Sequence, residues 1–215
     1  MSPVPGMVVV VAAPSGTGKT TVCRKVVERD ARIEFSISHT TRPRRPRERD
    51  GVDYHFVERE EFERLEGEGA FLESAEYNGN RYGTSWAAIE APLEAGRDVL
   101  LEIEVQGARQ VRERRADARF VFLLPPSLDE LRRRLVARGT DTPDAIAARI
   151  ELARHELREG PRFDYAVTND ELEACVTQVL GILDGERAGD EARRAALRER
   201  CDPKRAVATL LGERI

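Results

Sequence analysis

A short segment with two glycines followed by a lysine and a threonine, residues 13–20, has the composition of a phosphate-binding loop. Gly16 and Gly18 permit positive φ and a close approach of the backbone, so successive N–H groups can point into one concavity and hold phosphate oxygens. Lys19 can bring a full charge to the β- and γ-phosphates of a nucleoside triphosphate, and the Thr20 hydroxyl can ligate Mg²⁺. The segment therefore predicts a site for the phosphates of a nucleotide.

The segments on either side of this loop supply the context that such a site requires. Residues 7–12 form an unbroken apolar run typical of a buried parallel strand, and residues 21–28 carry valines at helical spacing. The helix would add the positive end of its dipole at the loop. Ala13 stands where the strict G-x-x-x-x-G-K-[ST] pattern has its first glycine, so position 13 must take a conformation that alanine allows. An ordinary turn is the alternative, which the rarity of lysine disfavours, because Lys19 is one of only three lysines.

Candidate residues for a second phosphate lie on an arginine- and proline-rich loop and on the predicted strands that follow it. Arg42 and Arg45 lie three residues apart and can deliver two planar guanidinium groups to one phosphate. Tyr54 and Tyr82 offer hydroxyl donors to the same anion. Considered alone, however, such an arginine-rich loop is most often a solvated charged surface.

Two carboxylates suggest what the remainder of that second ligand looks like. When ionised, Glu73 and Glu104 only accept hydrogen bonds. Guanine, which presents the adjacent donors N1–H and N2–H₂, is the natural partner of such a carboxylate. Considered alone, Glu73 would most often be a surface acid on a strand.

The composition bounds the class of protein. The chain has 215 residues, of which 34% are charged and 40% hydrophobic, and no apolar run approaches the roughly 20 residues of a membrane span. A net charge of −4 argues against general binding to nucleic acid or anionic membranes. The first apolar run leads straight into the glycine loop, so we interpret it as a strand and not as a signal peptide. Three widely spaced cysteines predict reduced thiols in a cytoplasm, with neither a zinc site nor a disulfide framework.

The elements that would position these residues alternate in the manner of an α/β fold. Strands are predicted at residues 33–38, 52–57, 70–77, 81–84, 99–105, 120–124 and 165–168, and helices at residues 58–68, 85–95, 106–115, 127–138, 144–159 and beyond 170. Between residues 38 and 84 we expect a small, mostly antiparallel insertion with a hairpin turn at Asn78-Gly79. The composition of residues 186–215 predicts helices that are interrupted at Asp202-Pro203. This segment is either a tail that packs on a partner or on the chain itself, or a solvated extension.

Several motifs, all in order between about residues 7 and 184, resemble the guanylate kinase family. They are Ser36-Ile37-Ser38-His39-Thr40-Thr41-Arg42, Gly51-Val52-Asp53-Tyr54-His55-Phe56-Val57, Tyr82-Gly83-Thr84, Glu102-Ile103-Glu104-Val105-Gln106-Gly107 and Arg138-Gly139-Thr140. The resemblance implies Mg²⁺-dependent transfer of the ATP γ-phosphoryl group to GMP, and to dGMP. It also implies an α/β fold in which a P-loop core with a parallel sheet flanked by helices carries a small mixed or antiparallel GMP-binding insertion and a helical lid.

The resemblance also divides the chain. Residues 6–37, 97–138 and 160–185 would form the core, residues 38–96 the GMP-binding region and residues 139–159 the lid, with 186–215 as an extension of unassigned role. Hinges are expected at Gly51, at Gly96 and in the break at 139–143. ATP and GMP would be the partners, with no nucleic acid and no membrane, while the oligomeric state stays open.

Carried over by position, the resemblance implies a role for each candidate residue. The ATP-binding residues would be Ala13, Pro14, Ser15, Gly16, Thr17, Gly18, Lys19, Thr20, Thr21, Arg134, Arg138 and Asn169, of which Asn169 would lie near adenine and Thr20 would bind the metal. The GMP phosphate would be held by Ser38, Arg42, Arg45, Tyr54 and Tyr82, and guanine by Glu73, Thr84 and Glu104. Lys19, Arg42, Arg138 and, from the lid, Arg149 would act on the transferred group.

Two departures from the family pattern affect the acceptor side. The pattern T-T-R-x-P-R-x-G-E becomes Thr40-Thr41-Arg42-Pro43-Arg44-Arg45-Pro46-Arg47-Glu48, so Arg44 could share the role of Arg45. Glu104 stands where some members have aspartate. Two alternatives remain beside a GMP kinase: a related P-loop kinase with another small phosphorylated acceptor, and a non-catalytic guanylate-kinase-like module that binds proteins.

Overall fold

The fold is known from a computed structural model, which describes residues 6–77, 79–137 and 142–213. The strands are β1 (Val8–Ala12), β2 (Ile33–Phe35), β3 (His39–Thr40), β4 (His55–Phe56), β5 (Phe71–Tyr77), β6 (Asn80–Ser85), β7 (Asp98–Glu102), β8 (Arg119–Leu124) and β9 (Tyr165–Thr168). The helices are α1 (Lys19–Arg29), α2 (Arg59–Gly67), α3 (Ala87–Glu94), α4 (Val105–Arg114), α5 (Leu128–Ala137), α6 (Pro143–Leu157), α7 (Leu172–Ala188), α8 (Glu191–Arg200) and α9 (Pro203–Leu211).

Five strands form the larger sheet, in the order β2-β7-β1-β8-β9. The pairs β2–β7 and β8–β9 run parallel, and all five residues of β1 are buried. Continuous apolar runs such as Val8–Ala12 belong in strands that are covered on both faces. The predicted α/β fold with a parallel sheet flanked by helices is therefore confirmed.

Four strands form a second, smaller sheet in the order β4-β3-β6-β5. The pairs β3–β6 and β5–β6 are antiparallel, whereas β3–β4 is parallel, so the predicted mixed or antiparallel insertion is confirmed. The strand predicted at residues 52–57 is reduced to His55–Phe56. Its first half is a turn instead, because the amides of Val52 and Asp53 donate to the carbonyl of Arg49.

The hairpin between β5 and β6 has the predicted position. Tyr77 pairs with Asn80, which leaves a connection of two residues, and Gly79 has a φ of 75°. Positive φ is the conformation that two-residue hairpin turns require. Asn78, the other half of the predicted turn, lies outside the described residues.

The chain divides into two compact units. One contains Ala31–Arg119 and the segment that ends at Val10, and the other contains Val11–Asp30 and the segment that begins at Phe120. The first unit includes the whole of the smaller sheet together with α2, α3 and α4, while the second includes α1 and α5 to α9. The boundaries of core, GMP-binding region and lid remain a prediction.

The C-terminal helices pack on their own unit. The carbonyl of Cys201 accepts a hydrogen bond from the amide of Ala166 in β9, at 2.8 Å, and the buried Val207 lies close to Gly160. Near the end of α7, the buried Glu186 carboxylate accepts a hydrogen bond from the Tyr165 hydroxyl and pairs with Arg194 of α8 at 3.1 Å. Of the alternatives left open for residues 186–215, the structure therefore favours a tail that packs on the chain itself.

Within residues 6–77, 79–137 and 142–213, none of the helices has the length and apolar character needed to cross a bilayer.

Candidate active site

The glycine-rich segment forms a loop between β1 and α1. Gly16 and Gly18 both have a φ of 96°, which L side chains rarely adopt. The helix begins at Lys19, so its N-terminal turn directly follows the loop. Ala13, at the position of the missing glycine, is almost fully buried. The local conformation therefore depends on the two glycines that the sequence retains.

Close packing adds a second reason for both glycines. A Cβ on Gly16 would lie 2.8 Å from Leu131 Cδ1 and 3.0 Å from Leu135 Cδ2, both on α5. A Cβ on Gly18 would lie 2.7 Å from the side-chain nitrogen of Asn169. Any larger residue at either position would be strained by the positive φ and would have to displace these side chains.

Two of the predicted ATP-binding side chains contact the loop backbone. The carbonyl of Thr17, a fully buried residue, accepts hydrogen bonds from Asn169 Nδ2 at 2.7 Å and from Arg134 Nη1 at 3.2 Å. Arg134 Nη2 also donates to the carbonyl of Asn169 at 3.0 Å, and its Nε is held by Glu130 at 2.9 Å. These bonds fix the orientation of the Thr17–Gly18 peptide. The sequence pattern did not single out Glu130 for this site.

The other predicted donor-side residues are distributed around the loop. Pro14 is buried and Ser15 half-buried, whereas Thr20 and Thr21 are exposed on the first turn of α1. Arg149 is half-buried on α6, which packs on α5 through Ile146 and Ala153. Arg138 and the predicted hinge at Gly139 lie outside the described residues.

Three residues predicted to hold the second phosphate come together on the smaller sheet. The Arg42 guanidinium carbon lies 5.4 Å from the centre of the Tyr54 ring, and that ring lies 6.0 Å from the ring of Tyr82. Arg42 Nη2 donates to Glu48 Oε1 at 2.8 Å. A guanidinium that pairs with a carboxylate in this way has the geometry needed for a phosphate oxygen.

Glu48 organises the arginine loop, a role that the sequence analysis missed. Its Oε2 accepts a hydrogen bond from the backbone of Arg45 at 2.8 Å, and its carbonyl accepts one from Arg44 Nη1 at 3.2 Å. Partial burial alone would raise the pKa of Glu48, but the hydrogen bonds from Arg42 and Arg45 outweigh it and lower that pKa. The Arg45 side chain itself is 72% exposed. The signal that could have indicated this role is a lone carboxylate within an arginine-rich loop.

Three residues predicted for the second ligand form one chain of hydrogen bonds. Glu73 is 3% exposed, and its Oε1 accepts from the Thr84 backbone at 3.0 Å and from the Thr84 hydroxyl at 2.7 Å. Ser38 Oγ lies 3.2 Å from Thr84 Oγ1. Because an ionised carboxylate only accepts, Thr84 donates to Glu73, and Ser38 then donates to Thr84. This chain of hydrogen bonds orients Glu73 for a ligand with paired donors.

Glu104 is placed by the junction of strand and helix. It follows the end of β7 and is the N-cap residue of α4, where its carbonyl accepts the first helical hydrogen bond, from Ala108. Its half-buried side chain does not cap the helix. Glu104 is therefore held by its backbone, in the same unit as Glu73.

Thr20 is the residue predicted to bind Mg²⁺. Among the residues that the structure describes, no cluster of three or more His, Cys, Asp or Glu side chains is arranged to hold a metal ion. Mg²⁺ at a nucleotide site keeps several waters and takes phosphate oxygens with only one or two protein ligands. The exposed hydroxyl of Thr20, next to Lys19, suits that role. The donor set thus fits a metal that arrives with a nucleotide.

Comparisons with known proteins agree with the motifs. The family model described as "Guanylate kinase" matches residues 6–186. A guanylate kinase of Thermus thermophilus is 55% identical over 182 residues, which are 85% of this chain and 82% of that protein. One of Alkalilimnicola ehrlichii is 47% identical over 195 residues, which are 91% and 96% of the two chains. The crystal structure of guanylate kinase from Anaplasma phagocytophilum superposes with a TM-score of 0.72 at 35% identity, covering 86% of this chain and 88% of that one. This chain therefore belongs to the guanylate kinase family.

Proposed function

We propose that the protein transfers the γ-phosphoryl group of ATP to GMP, giving ADP and GDP, with Mg²⁺ bound to the nucleotide. The observation that carries this proposal lies on β6, where the Tyr82 ring lies beside the Tyr54 ring that Arg42 contacts, and Thr84 aligns the buried Glu73. Tyr82 and Thr84 are two residues apart and so face the same side of the sheet. A group suited to a phosphate and a group suited to guanine are thereby presented together. We also propose dGMP as an acceptor, because the assigned contacts involve the phosphate and the base.

On the donor side, the loop supplies binding and charge. The backbone N–H groups around Gly16 and Gly18 and the first turn of α1 would hold the β-phosphate, with Lys19 directed to the β- and γ-phosphates. Thr20 would ligate Mg²⁺, which, when bound, offsets negative charge on the transferred group. Arg138, and Arg149 from the lid, would act on the same charge, while Arg134 and Asn169 lie behind the loop. The roles of all these residues remain proposals.

On the acceptor side, the protein mainly positions the nucleophile. A phosphate oxygen of GMP attacks, and because this phosphate is largely ionised at neutral pH, we assign no side-chain base. Arg42 and Arg45, with Ser38, Tyr54 and Tyr82, would hold that phosphate. Glu73, Thr84 and Glu104 would bind guanine. Positioning and charge stabilisation are sufficient because phosphoryl transfer leaves little covalent chemistry to the protein.

The same proposal includes how water is excluded from the site and the compartment in which the enzyme acts. Residues 139–159 would close as a lid and exclude water, which otherwise competes for the phosphoryl group. We place the enzyme in the cytoplasm, a choice supported by three cysteines that are buried without forming disulfides. ATP and GMP would be its substrates.

One coupled assay tests the proposal against its alternatives. With ATP and Mg²⁺, we expect turnover of GMP and dGMP and little turnover of AMP or UMP. A preference for another monophosphate would favour the related P-loop kinase, and no turnover of any acceptor would favour a non-catalytic binding module.

A further inference from the structure

We propose that Gln110 and Arg114 of α4 are positioning residues for the acceptor base, because they hold a β-bulge that directs Glu73 toward guanine. This inference rests on the proposed function. Neither residue belongs to a motif on which the family resemblance depends. Both lie in the same compact unit as Glu73.

The bulge is located between Phe71 and Glu73, where the alternation of side chains between the two faces of β5 is interrupted. Phe71 pairs with Ser85 and Glu73 pairs with Thr84, so two steps along β5 correspond to one step along β6, and Leu72 is the additional residue. Such an insertion leaves backbone groups unpaired and re-aims the neighbouring side chains.

Side-chain contacts show what the bulge achieves. In a regular strand, Phe71 and Glu73 would share one face, because side chains alternate with a period of two. Here the Phe71 ring stacks on Phe62 at 4.6 Å and contacts His39 at 5.4 Å. Glu73 instead bonds to Thr84, the residue next to Ser85 and therefore on the opposite face. Without the bulge, burying Phe71 would turn Glu73 away from Thr84.

Helix α4 pairs with the exposed backbone of this strand. β5 is the edge strand of the smaller sheet, so among the described residues its outer backbone groups have no strand beside them. Arg114 Nη1 donates to the carbonyls of Phe71 and Leu72, at 2.9 Å and 2.6 Å, on the bulge itself. Gln110 accepts from the amide of Ser74 at 3.2 Å and donates to its carbonyl at 2.6 Å.

A third position on the same helix face touches the carboxylate directly. A Cβ built on Gly107 would collide with Glu73 Oε2. Gly107, Gln110 and Arg114 are spaced by three and four residues, which places them along one side of a helix. This side of α4 therefore replaces a neighbouring strand and fixes both the backbone and the side chain of Glu73.

The test compares GMP with IMP, which lacks the exocyclic 2-amino group. We expect Gln110→Ala and Arg114→Met to lower kcat/KM for GMP about tenfold and that for IMP by clearly less, because a misdirected carboxylate loses its bonds to both N1–H and the amino group of guanine, whereas IMP offers only N1–H. The KM for ATP should stay unchanged. Arg114→Lys, which keeps one charged donor, should restore part of the preference.

Gly107→Ala provides a second route if the other variants fold poorly. The atom displaced by the new methyl group is the end of the Glu73 side chain, so the backbone can remain in place while the preference for GMP over IMP falls. Glu113→Ala, at an exposed position of the same helix, is the matched control and should keep the wild-type preference.

The outcomes separate this inference from the proposed function. If wild-type protein did not turn over GMP, the proposed function would fail, and the inference with it. If it used GMP and IMP equally, the inference alone would be overturned, because there would be no preference for the amino group to lose. If the wild type preferred GMP and folded Gln110→Ala and Gly107→Ala kept the same ratio of kcat/KM values, only the inference would be overturned. An equal loss for both acceptors would also overturn it, since that is the result expected from general damage to the fold.

Discussion

In the proposed phosphate loop, the groups that would bind a ligand are mostly backbone N–H groups, whereas on the smaller sheet they would be side chains. The contacts that hold these groups in place are of the opposite kind on the two sides. In the loop, the side chains of Asn169 and Arg134 hold the backbone through the carbonyl of Thr17. On the sheet, the backbone of Thr84 and the bulge in β5 hold the side chain of Glu73.

This difference determines how a residue can be exchanged on each side. A backbone donor survives most substitutions that keep the conformation, so the loop tolerates Ala13 in place of a glycine. A side-chain acceptor is lost with its residue, so the sheet should be sensitive to single substitutions. We therefore expect changes on the two sides to separate in the kinetics of ATP and of GMP.

The largest effect is expected at Lys19, the first residue of α1 and the one charged residue of segment 13–20. Lys19→Ala should lower kcat by about three orders of magnitude, because it removes a point charge from the transferred phosphoryl group. Lys25→Ala is the matched control on the same helix, where Lys25 pairs with Glu173 at 3.1 Å. Steady-state kinetics that showed Lys19→Ala and Lys25→Ala to be equally active would contradict the assignment of the donor site.

Glu73→Gln should have the next largest effect, confined to the acceptor. The amide keeps the size of the side chain but loses the charge and replaces one acceptor with a donor. The preference for GMP over AMP in kcat/KM should fall about a hundredfold, with the KM for ATP unchanged. Glu76→Gln, at an exposed position of the same strand, is the control. A preserved preference in Glu73→Gln would mean that another group binds the base.

The sequence predicted the conformation of the glycine loop more completely than the arrangement of the smaller sheet, and the physical reason is locality. Gly16, Gly18, Lys19 and Thr20 are neighbours, so one spacing specifies strand, turn and helix together. Ser38, Glu73 and Thr84 are brought together only by sheet pairing. The chemistry of a carboxylate suggested guanine as the partner of Glu73, but the roles of Ser38 and Thr84 followed only from the family resemblance, because no local period connects the three residues.

Supporting contacts were the part that sequence patterns could not supply. The bulge at Leu72 could not be predicted from an alternation of buried and exposed positions, because Phe71, Leu72 and Glu73 are all buried. Glu48, Glu130 and Gln110 look like ordinary surface residues in the sequence. Glu48 and Glu130 act on arginines close to them in the chain, but their bonds form only in the folded conformation. Gln110 acquires its role from the backbone of Ser74, which only the folded chain brings near.

Asn169→Ala tests the hydrogen bond that holds the loop backbone at Thr17. Loss of the 2.7 Å hydrogen bond to Thr17 should loosen the peptide next to Gly18 and raise the KM for ATP about tenfold, with the KM for GMP unchanged. Asp170→Ala, at the exposed neighbouring position, should leave both values as in the wild type. If the KM for GMP rose as much as that for ATP, the loop and the sheet would not be supported independently.

The smallest effect concerns pH and distinguishes the smaller sheet from the larger one. The His39 ring lies 4.7 Å from that of His55 and also contacts Phe71. Burial, followed by the charge of His55, lowers the pKa of His39 below its usual 6.5, while Glu61 and Asp50 act in the opposite direction. The unfolded chain therefore binds more protons, so the contribution of His39 to stability is present above about pH 6.5 and is lost as the pH falls toward the lowered pKa.

Amide hydrogen exchange, corrected for intrinsic rates, measures this contribution locally. Between pH 7.5 and pH 5.5, we expect exchange in β3 and β6 to accelerate roughly threefold relative to β8, because opening of the smaller sheet becomes easier once His39 prefers to be protonated. His39→Gln should remove this dependence, whereas His155→Gln, at an exposed position of α6, should retain it. Among the described residues, the ring contacts of His39 are with His55 and Phe71, both on the smaller sheet. An equal acceleration of exchange in β8 would therefore show that acid destabilises the whole fold and not the smaller sheet through His39.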